Sequence, residues 1–270
     1  MNNKKLVKIL SVTNEKLQTA NENLETANEN LKIVNMEKNE FIGIVAHNLK
    51  NPIANMSIIA DTVKSYSEKL PYSQLVRMMD SIQSSSDAMV NLISNLLDIN
   101  AIEDGKYNVY VEDINLHTIL MELIDTNKPM ANKKNITLFL YMPGEQVVVN
   151  YDERIFREII GNYISNAIKF SPFDVSVYII LNKLEDGSIK ISVKDEGPGL
   201  SEDDQSRLFN KYTKLSTRPT ADENSTGLGL SIVKKLAELM NSQVICESVL
   251  GQGAEFSLII STTRELNNKN

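Results

Sequence analysis

Ile189-Lys-Ile-Ser-Val-Lys-Asp195-Glu196-Gly197-Pro198-Gly199 decides how the C-terminal half of this chain is read. Ile189, Ile191 and Val193 alternate with polar residues, which predicts a half-buried strand over 188–195. The strand ends on Asp195, and Gly197 and Gly199 follow at once. A carboxylate there can accept a hydrogen bond from an exocyclic amine such as N6 of adenine. The glycines let backbone come close to a ligand. Taken alone, the pattern fits a simple turn as well as a site.

Working outward, further strands are predicted at 136–142, 146–149, 174–182, 243–248 and 254–262, with helices at 115–132, 152–169 and 227–241. Glu185-Asp186-Gly187 joins 174–182 to 188–195 as a hairpin. The expected fold is an α+β sandwich with helices on one face of the sheet. The stretch 197–226 lacks apolar periodicity and is rich in Gly, Ser, Thr, Asp and Glu. A loop of that length inside a compact domain is usually functional, here a lid.

Three more groups carry chemistry. Asn162, Asn166 and Lys169 are spaced four and three apart, hence on one face of the helix 152–169. Amide oxygens beside a lysine suit Mg2+ and a polyphosphate, because magnesium keeps waters and phosphate oxygens among its ligands. An ordinary polar helix face has the same pattern. Thr226-Gly227-Leu228-Gly229-Leu230 opens the helix 227–241 and leaves backbone N–H groups facing an anion. Gly251-Gln252-Gly253 precedes the last strand and reads as a tight turn.

The N-terminal half is helical in pattern. Residues 14–34 repeat NEKLQTA, NENLETA, NENLKIV. Leu10, Leu17, Leu24 and Leu31 sit seven apart, with Thr13, Ala20, Ala27 and Val34 three further on. This predicts a parallel two-stranded coiled coil with a weak seam, either a dimerising spacer or a signal-transmitting helix. Amphipathic helices follow over 37–67 and 73–103, and Pro52 predicts a local bend in the first. They form a helical hairpin whose apolar stripe a second copy would bury in a four-helix bundle. Asp104-Gly105 marks the boundary to the α+β half.

Composition narrows the classes. The chain has 270 residues, 42% hydrophobic and 23% charged, a globular balance. A net charge of −7 argues against a nucleic-acid partner. One cysteine and two histidines exclude an internal disulfide and leave little for zinc. No apolar run approaches the roughly 20 residues that span a bilayer, so no membrane contact is expected. The polar N-terminus does not read as a signal peptide, and the expected location is cytoplasmic, either by itself or as the cytoplasmic part of a larger sensor.

The order of the groups, an Asn box, a strand ending in DxGxG, a long lid, GLGL at a helix start and GxG before a terminal strand, resembles the ATP-binding domain of sensor histidine kinases. That superfamily also holds gyrase, the ninety-kilodalton heat-shock chaperone and MutL. Upstream, Phe41-Ile-Gly-Ile-Val-Ala-His47-Asn-Leu-Lys-Asn-Pro52 resembles the family's phosphoacceptor box, and Leu208-Phe209 its phenylalanine box. The end of the second helix, residues 91–105, is also similar. The resemblance implies a coiled-coil signalling helix at 1–36, a dimerisation and histidine phosphotransfer domain at 37–106 and a catalytic ATP-binding domain at 107–270. It implies that Asn162 and above all Asn166 hold Mg2+ and phosphates, and that Lys169 contacts phosphate. By the same token Asp195 reads adenine, and Gly197, Gly199, Phe209, Thr226, Gly227, Leu228 and Gly229 shape the pocket and lid. Ser225 stands where many members have glycine.

The implied activity is autophosphorylation of His47 by ATP, then transfer to an aspartate on the receiver domain of a response regulator, in a homodimer. His47 is expected to be exposed. Members usually carry Glu or Asp after the phosphoacceptor, whereas this chain has Asn48. An amide can set the imidazole tautomer but cannot take up a proton, so slow autophosphorylation is expected. Asn51, four residues on, shares the His47 face, where the family positions water for dephosphorylating its partner. The alternative is therefore a kinase-weak nucleotide-binding scaffold or response-regulator phosphatase. His117 has no motif around it and is expected at the surface.

Overall fold

The computed structural model describes residues 2–66, 69–209, 220 and 229–261, except for some side chains of the first helix, Leu10, Val34 and Phe41 among them. The chain divides into two units, residues 1–54 and 55–270.

The first unit belongs to a single helix, α1 (Asn2–Tyr66). The heptad segment and the 37–67 stripe, expected as successive helices, are continuous, because no Gly or Pro lies between Val34 and Asn39 to break the backbone ladder. The helix also continues through Pro52, whose ring removes one backbone donor. The seam residues Leu17, Leu24 and Leu31 are 67%, 69% and 68% exposed in the single chain. A heptad seam in that state has its apolar area still to bury.

In the second unit, α2 (Tyr72–Glu103) folds back on the last turns of α1. Asn55 Nδ2 donates to Ser81 Oγ at 3.3 Å and to Ser85 Oγ at 3.2 Å, a polar clasp across the hairpin. Ile59, Leu92 and Ile99 are buried. Ile58, Val76, Met79, Val90, Ile93 and Leu97 remain exposed, the wet stripe expected of a lone hairpin.

The α+β part carries two sheets. β1 (Glu112–Asn115) pairs antiparallel with β3 (Val148–Tyr151), placing Ile114 against Val149. The main sheet has the order β2-β4-β5-β7-β6. Its strands are β2 (Thr137–Tyr141), β4 (Ser176–Lys183), β5 (Ile189–Lys194), β6 (Gln243–Ser248) and β7 (Ala254–Ile260). Only the β2–β4 pair is parallel. The β4–β5 hairpin turns at Gly187, φ +85°, where Leu184 N donates to Ser188 O at 2.8 Å.

Three helices cover one face: α3 (Leu116–Asn132), α4 (Glu153–Phe170) and α6 (Gly229–Leu239). The central α4 begins at Asp152, whose carboxylate accepts from Arg154 N and Ile155 N, as helix N-caps do. Burial alone would push the Asp152 carboxyl up, but bonds from Arg154, Tyr110 N and Ile155 N outweigh it and hold the carboxyl below its usual range. Ile155, Phe156, Ile159, Ile160, Tyr163, Ile164 and Ile168 of α4 are fully buried against Val177, Ile179, Leu181, Ile191, Val193 and Leu258. Each such side chain stabilises the fold by about 1.5–3 kcal/mol of apolar transfer.

Two sequence readings change. The predicted lid 197–226 contains a short helix, α5 (Glu202–Arg207). Ser201 Oγ accepts from Asp204 N at 3.1 Å, and Glu202, Asp203 and Asp204 fill the first turn. Six residues are too few to show an apolar period, so capping chemistry alone marks them. His117 is half-buried rather than at the surface. Its Nδ1 accepts from Val147 N at 3.2 Å, so Nε2 carries the proton and donates to Pro143 O at 3.0 Å. It ties the start of α3 to the connection between β2 and β3.

Candidate nucleotide site and phosphoacceptor

A pocket opens where α4 and α6 meet the ends of β5 and β7. Asn166 and Phe170 come from α4, and Asp195, Pro198, Gly199 and Leu200 follow β5. Leu208 follows α5, Leu230 belongs to α6, and Ala254 and Phe256 belong to β7. The lining is mostly apolar, with a few polar groups converging on it, as in small-molecule sites generally.

Asp195 is 5% exposed. Its Oδ1 accepts from Gly197 N at 2.8 Å and from Ala254 N at 3.2 Å. Among the described residues Oδ2 has no hydrogen-bond partner, so it is the oxygen left for a ligand. Burial pushes the carboxyl above its usual range, and the two backbone donors pull it part of the way back.

Gly199 requires its glycine. It has φ +67°, and a Cβ there would lie 2.1 Å from Val249 O. The close approach lets Gly251 N donate to Pro198 O at 2.7 Å and Ser248 Oγ accept from Leu200 N at 2.9 Å. The two glycine turns thus brace each other around Asp195.

Asn166 Nδ2 donates to Asn162 Oδ1 at 2.8 Å. With its nitrogen so engaged, Asn166 has its amide oxygen left for a hard cation. Asn162 has its oxygen occupied, and its Nδ2 would lie 2.4 Å from a Cβ at Gly229. Gly229 therefore admits the start of α6 against the Asn face of α4. Lys169 is half-buried in the last turn of α4. Phe209 is half-buried just after α5, and its neighbour Leu208, 4% exposed, is the one that lines the pocket. Thr226, Gly227 and Leu228, with Ser225, lie outside the described residues.

Sequence reading missed the apolar walls Phe170, Leu200, Leu230 and Phe256. Phe170 could have been found, because it lies four residues after Asn166 on the same helical face. Phe256 could not, because it reaches the site only through its register with Val193.

In the first unit, His47 and Asn51 are both exposed and Asn48 is half-buried. Asn51 Nδ2 stands 3.5 Å from His47 Nδ1. The expected shared face is therefore present, one helical turn apart.

Residues 37–105 match the family described as the His Kinase A (phospho-acceptor) domain. Residues 151–264 match the histidine kinase-, DNA gyrase B- and HSP90-like ATPases. The circadian input-output histidine kinase CikA of Synechococcus elongatus is 28% identical over 228 residues, 84% of this chain and 30% of that protein. The sensor-like histidine kinase SenX3 of Mycolicibacterium smegmatis is 27% identical over 223 residues, 83% of this chain and 57% of that one. The chain thus spans from about a third to just over half of the length of these curated relatives. Among solved structures, the Acinetobacter baumannii histidine kinase AdeS shares the fold at TM-score 0.61 and 17% identity, covering 80% of this chain and 98% of that one. The histidine kinase ThkA, solved in complex with the response regulator TrrA, does so at TM-score 0.59 and 19% identity, covering 83% and 61%. With a phosphoacceptor domain and a histidine-kinase-type ATPase domain in one chain, the protein belongs to the two-component sensor histidine kinases and carries their core.

Proposed function

We propose that this chain binds ATP in the Asp195 pocket, phosphorylates His47 and passes the phosphoryl group to an aspartate of a response-regulator receiver domain. The observation that carries the reading is the pocket's polar pair. A buried carboxylate has one oxygen fixed by backbone, and in the same lining an amide has its nitrogen engaged by its neighbour, which leaves its oxygen. Oδ2 of Asp195 accepts from the adenine N6 amine. Asn166, with Asn162 behind it, would hold magnesium, and Lys169 would meet phosphate. Magnesium, when bound, neutralises charge on the phosphate oxygens. Gly197, Gly199 and Gly229 keep the backbone close, and the resemblance assigns the pocket and lid role also to Phe209 and to Thr226, Gly227 and Leu228, which lie outside the described residues.

In the reaction an imidazole nitrogen of His47 bonds to the γ-phosphorus, the bond to the β–γ bridging oxygen breaks, and ADP leaves. The ring proton then passes to water. With Asn51 Nδ2 facing Nδ1, the ring accepts there and carries its proton on Nε2. Exchange of the ring proton through water from Nε2 to Nδ1, with the Asn51 amide turned over so that its oxygen accepts from Nδ1–H, frees Nε2 to attack. Asn48 offers no base, so autophosphorylation is slow. The relatives matched are named as kinases, and none favours the scaffold or phosphatase alternative.

The functional unit is a homodimer, supported by the phosphoacceptor family match and by the exposed stripe of α2. The proposed domains are 1–36, 37–106 and 107–270, although α1 runs through the first boundary without a break. Among the described residues no helix is long and apolar enough to cross a membrane. A cytoplasmic setting follows from the proposed ATP chemistry. Incubation with γ-labelled ATP and magnesium should give label that is lost in acid and kept in alkali. An unlabelled chain would sink the reading.

A further inference from the structure

Lys134 is a charged side chain outside the lining of the nucleotide pocket. It is 3% exposed and lies in the turn between α3 and β2. Burying an ammonium is costly unless each of its protons finds an acceptor. Here Nζ donates to Ile168 O at 2.8 Å, to Lys169 O at 3.0 Å and to Thr220 Oγ1 at 2.6 Å. The first two acceptors are carbonyls of the last turn of α4, which no later turn of the helix can satisfy. A cation at that end also suits the helix dipole.

Thr220 meets the same turn from the other side. Its N–H donates to Lys169 O at 3.1 Å and its hydroxyl to Ser171 O at 2.6 Å. The base of Lys134 is itself fixed, since Asp174 N donates to Lys134 O at 3.0 Å and Asn135 Nδ2 to Asp174 Oδ1 at 2.6 Å. One amino group therefore joins three parts of the chain: the turn before β2, the end of α4, and the segment between α5 and α6.

The joined turn is the one that presents Asn166, Lys169 and Phe170. We infer that Lys134, acting with Thr220, is a positioning residue for the phosphate end of the nucleotide site. It sets the last turn of α4 without touching nucleotide. The polar contact of the adenine end, Asp195 with its donors Gly197 N and Ala254 N, receives none of the bonds from Lys134 given above. The inference rests on the proposed ATP site, and the test separates the two.

Affinities of the full chain for ATP with magnesium and for AMP are measured by calorimetry, for wild type, Lys134→Met and Thr220→Val. Lys134→Met should weaken ATP about tenfold, the effect of one hydrogen bond to a charged group, and leave AMP within about twofold. Thr220→Val keeps both lysine bonds to α4, so it should fold even if Lys134→Met does not. It should shift the ATP-to-AMP ratio the same way by about threefold. Lys134→Arg, which retains charge and donors, should recover part of the ratio. Equal losses for both nucleotides, or an unchanged ratio in Thr220→Val, would overturn the inference. A wild-type chain that binds neither nucleotide would overturn the proposed site instead.

Discussion

The two chemical halves of this kinase core are built in opposite ways. His47 stands on an exposed helical face, and its described neighbour Asn51 comes from the next turn of the same helix. Asp195 is buried, and its contacts come from its own turn and from a strand 59 residues further along the chain. The first arrangement is local and open, free to meet more than one partner. The second is long-range and closed, as the proposed recognition of one ligand requires. A residue that must hand a group on is served by exposure, whereas a residue that must recognise is served by burial and fixed donors.

This contrast predicts separable effects. His47→Gln should abolish labelling from γ-labelled ATP entirely while leaving calorimetric ATP affinity unchanged. A parallel loss of affinity would erase the distinction. Asn48→Asp supplies the missing proton acceptor and should speed autophosphorylation by about 10²-fold, the low end for general-base help. An unchanged rate would mean that proton removal does not limit the step. Asp195→Asn should weaken ATP by about thirtyfold through loss of a charged hydrogen bond. The apo fold should not suffer. The folded carboxyl is raised by burial, so stability declines as pH rises from its unfolded pKa to its folded one. The amide removes that decline, and thermal unfolding across this pH range would register it. Leu24→Asn in the exposed seam should raise the dimer dissociation constant by about tenfold, with ATP affinity per chain unaffected. Sedimentation of dilute protein would detect it.

The same contrast explains what sequence alone revealed. The shared faces of His47 with Asn51 and of Asn162 with Asn166 were legible because helical spacing dictates them, whereas His47 itself stood out only through the resemblance of its sequence box. The hairpin at Gly187 was legible because its turn residues admit little else. β1 was not, because Glu112-Asp113-Ile114-Asn115 holds one apolar residue and gains its ladder only from β3. Nothing in the sequence marks Leu230 and Phe256 as pocket walls, and only the sheet register and the placement of α6 bring them to one cavity. His117 shows the converse. A residue with no motif around it still has a defined task, that of fastening a loop.

The clamp of Gly197 and Ala254 on Asp195 also bears on which nucleobase can be used. Guanine presents a carbonyl oxygen where adenine presents an amine, and a carboxylate held by main-chain amides cannot swing aside to avoid it. On the proposed adenine contact, preference for ATP over GTP would be set by the backbone. Substitutions in the surrounding apolar wall would alter how tightly a purine is held, but not which purine is accepted.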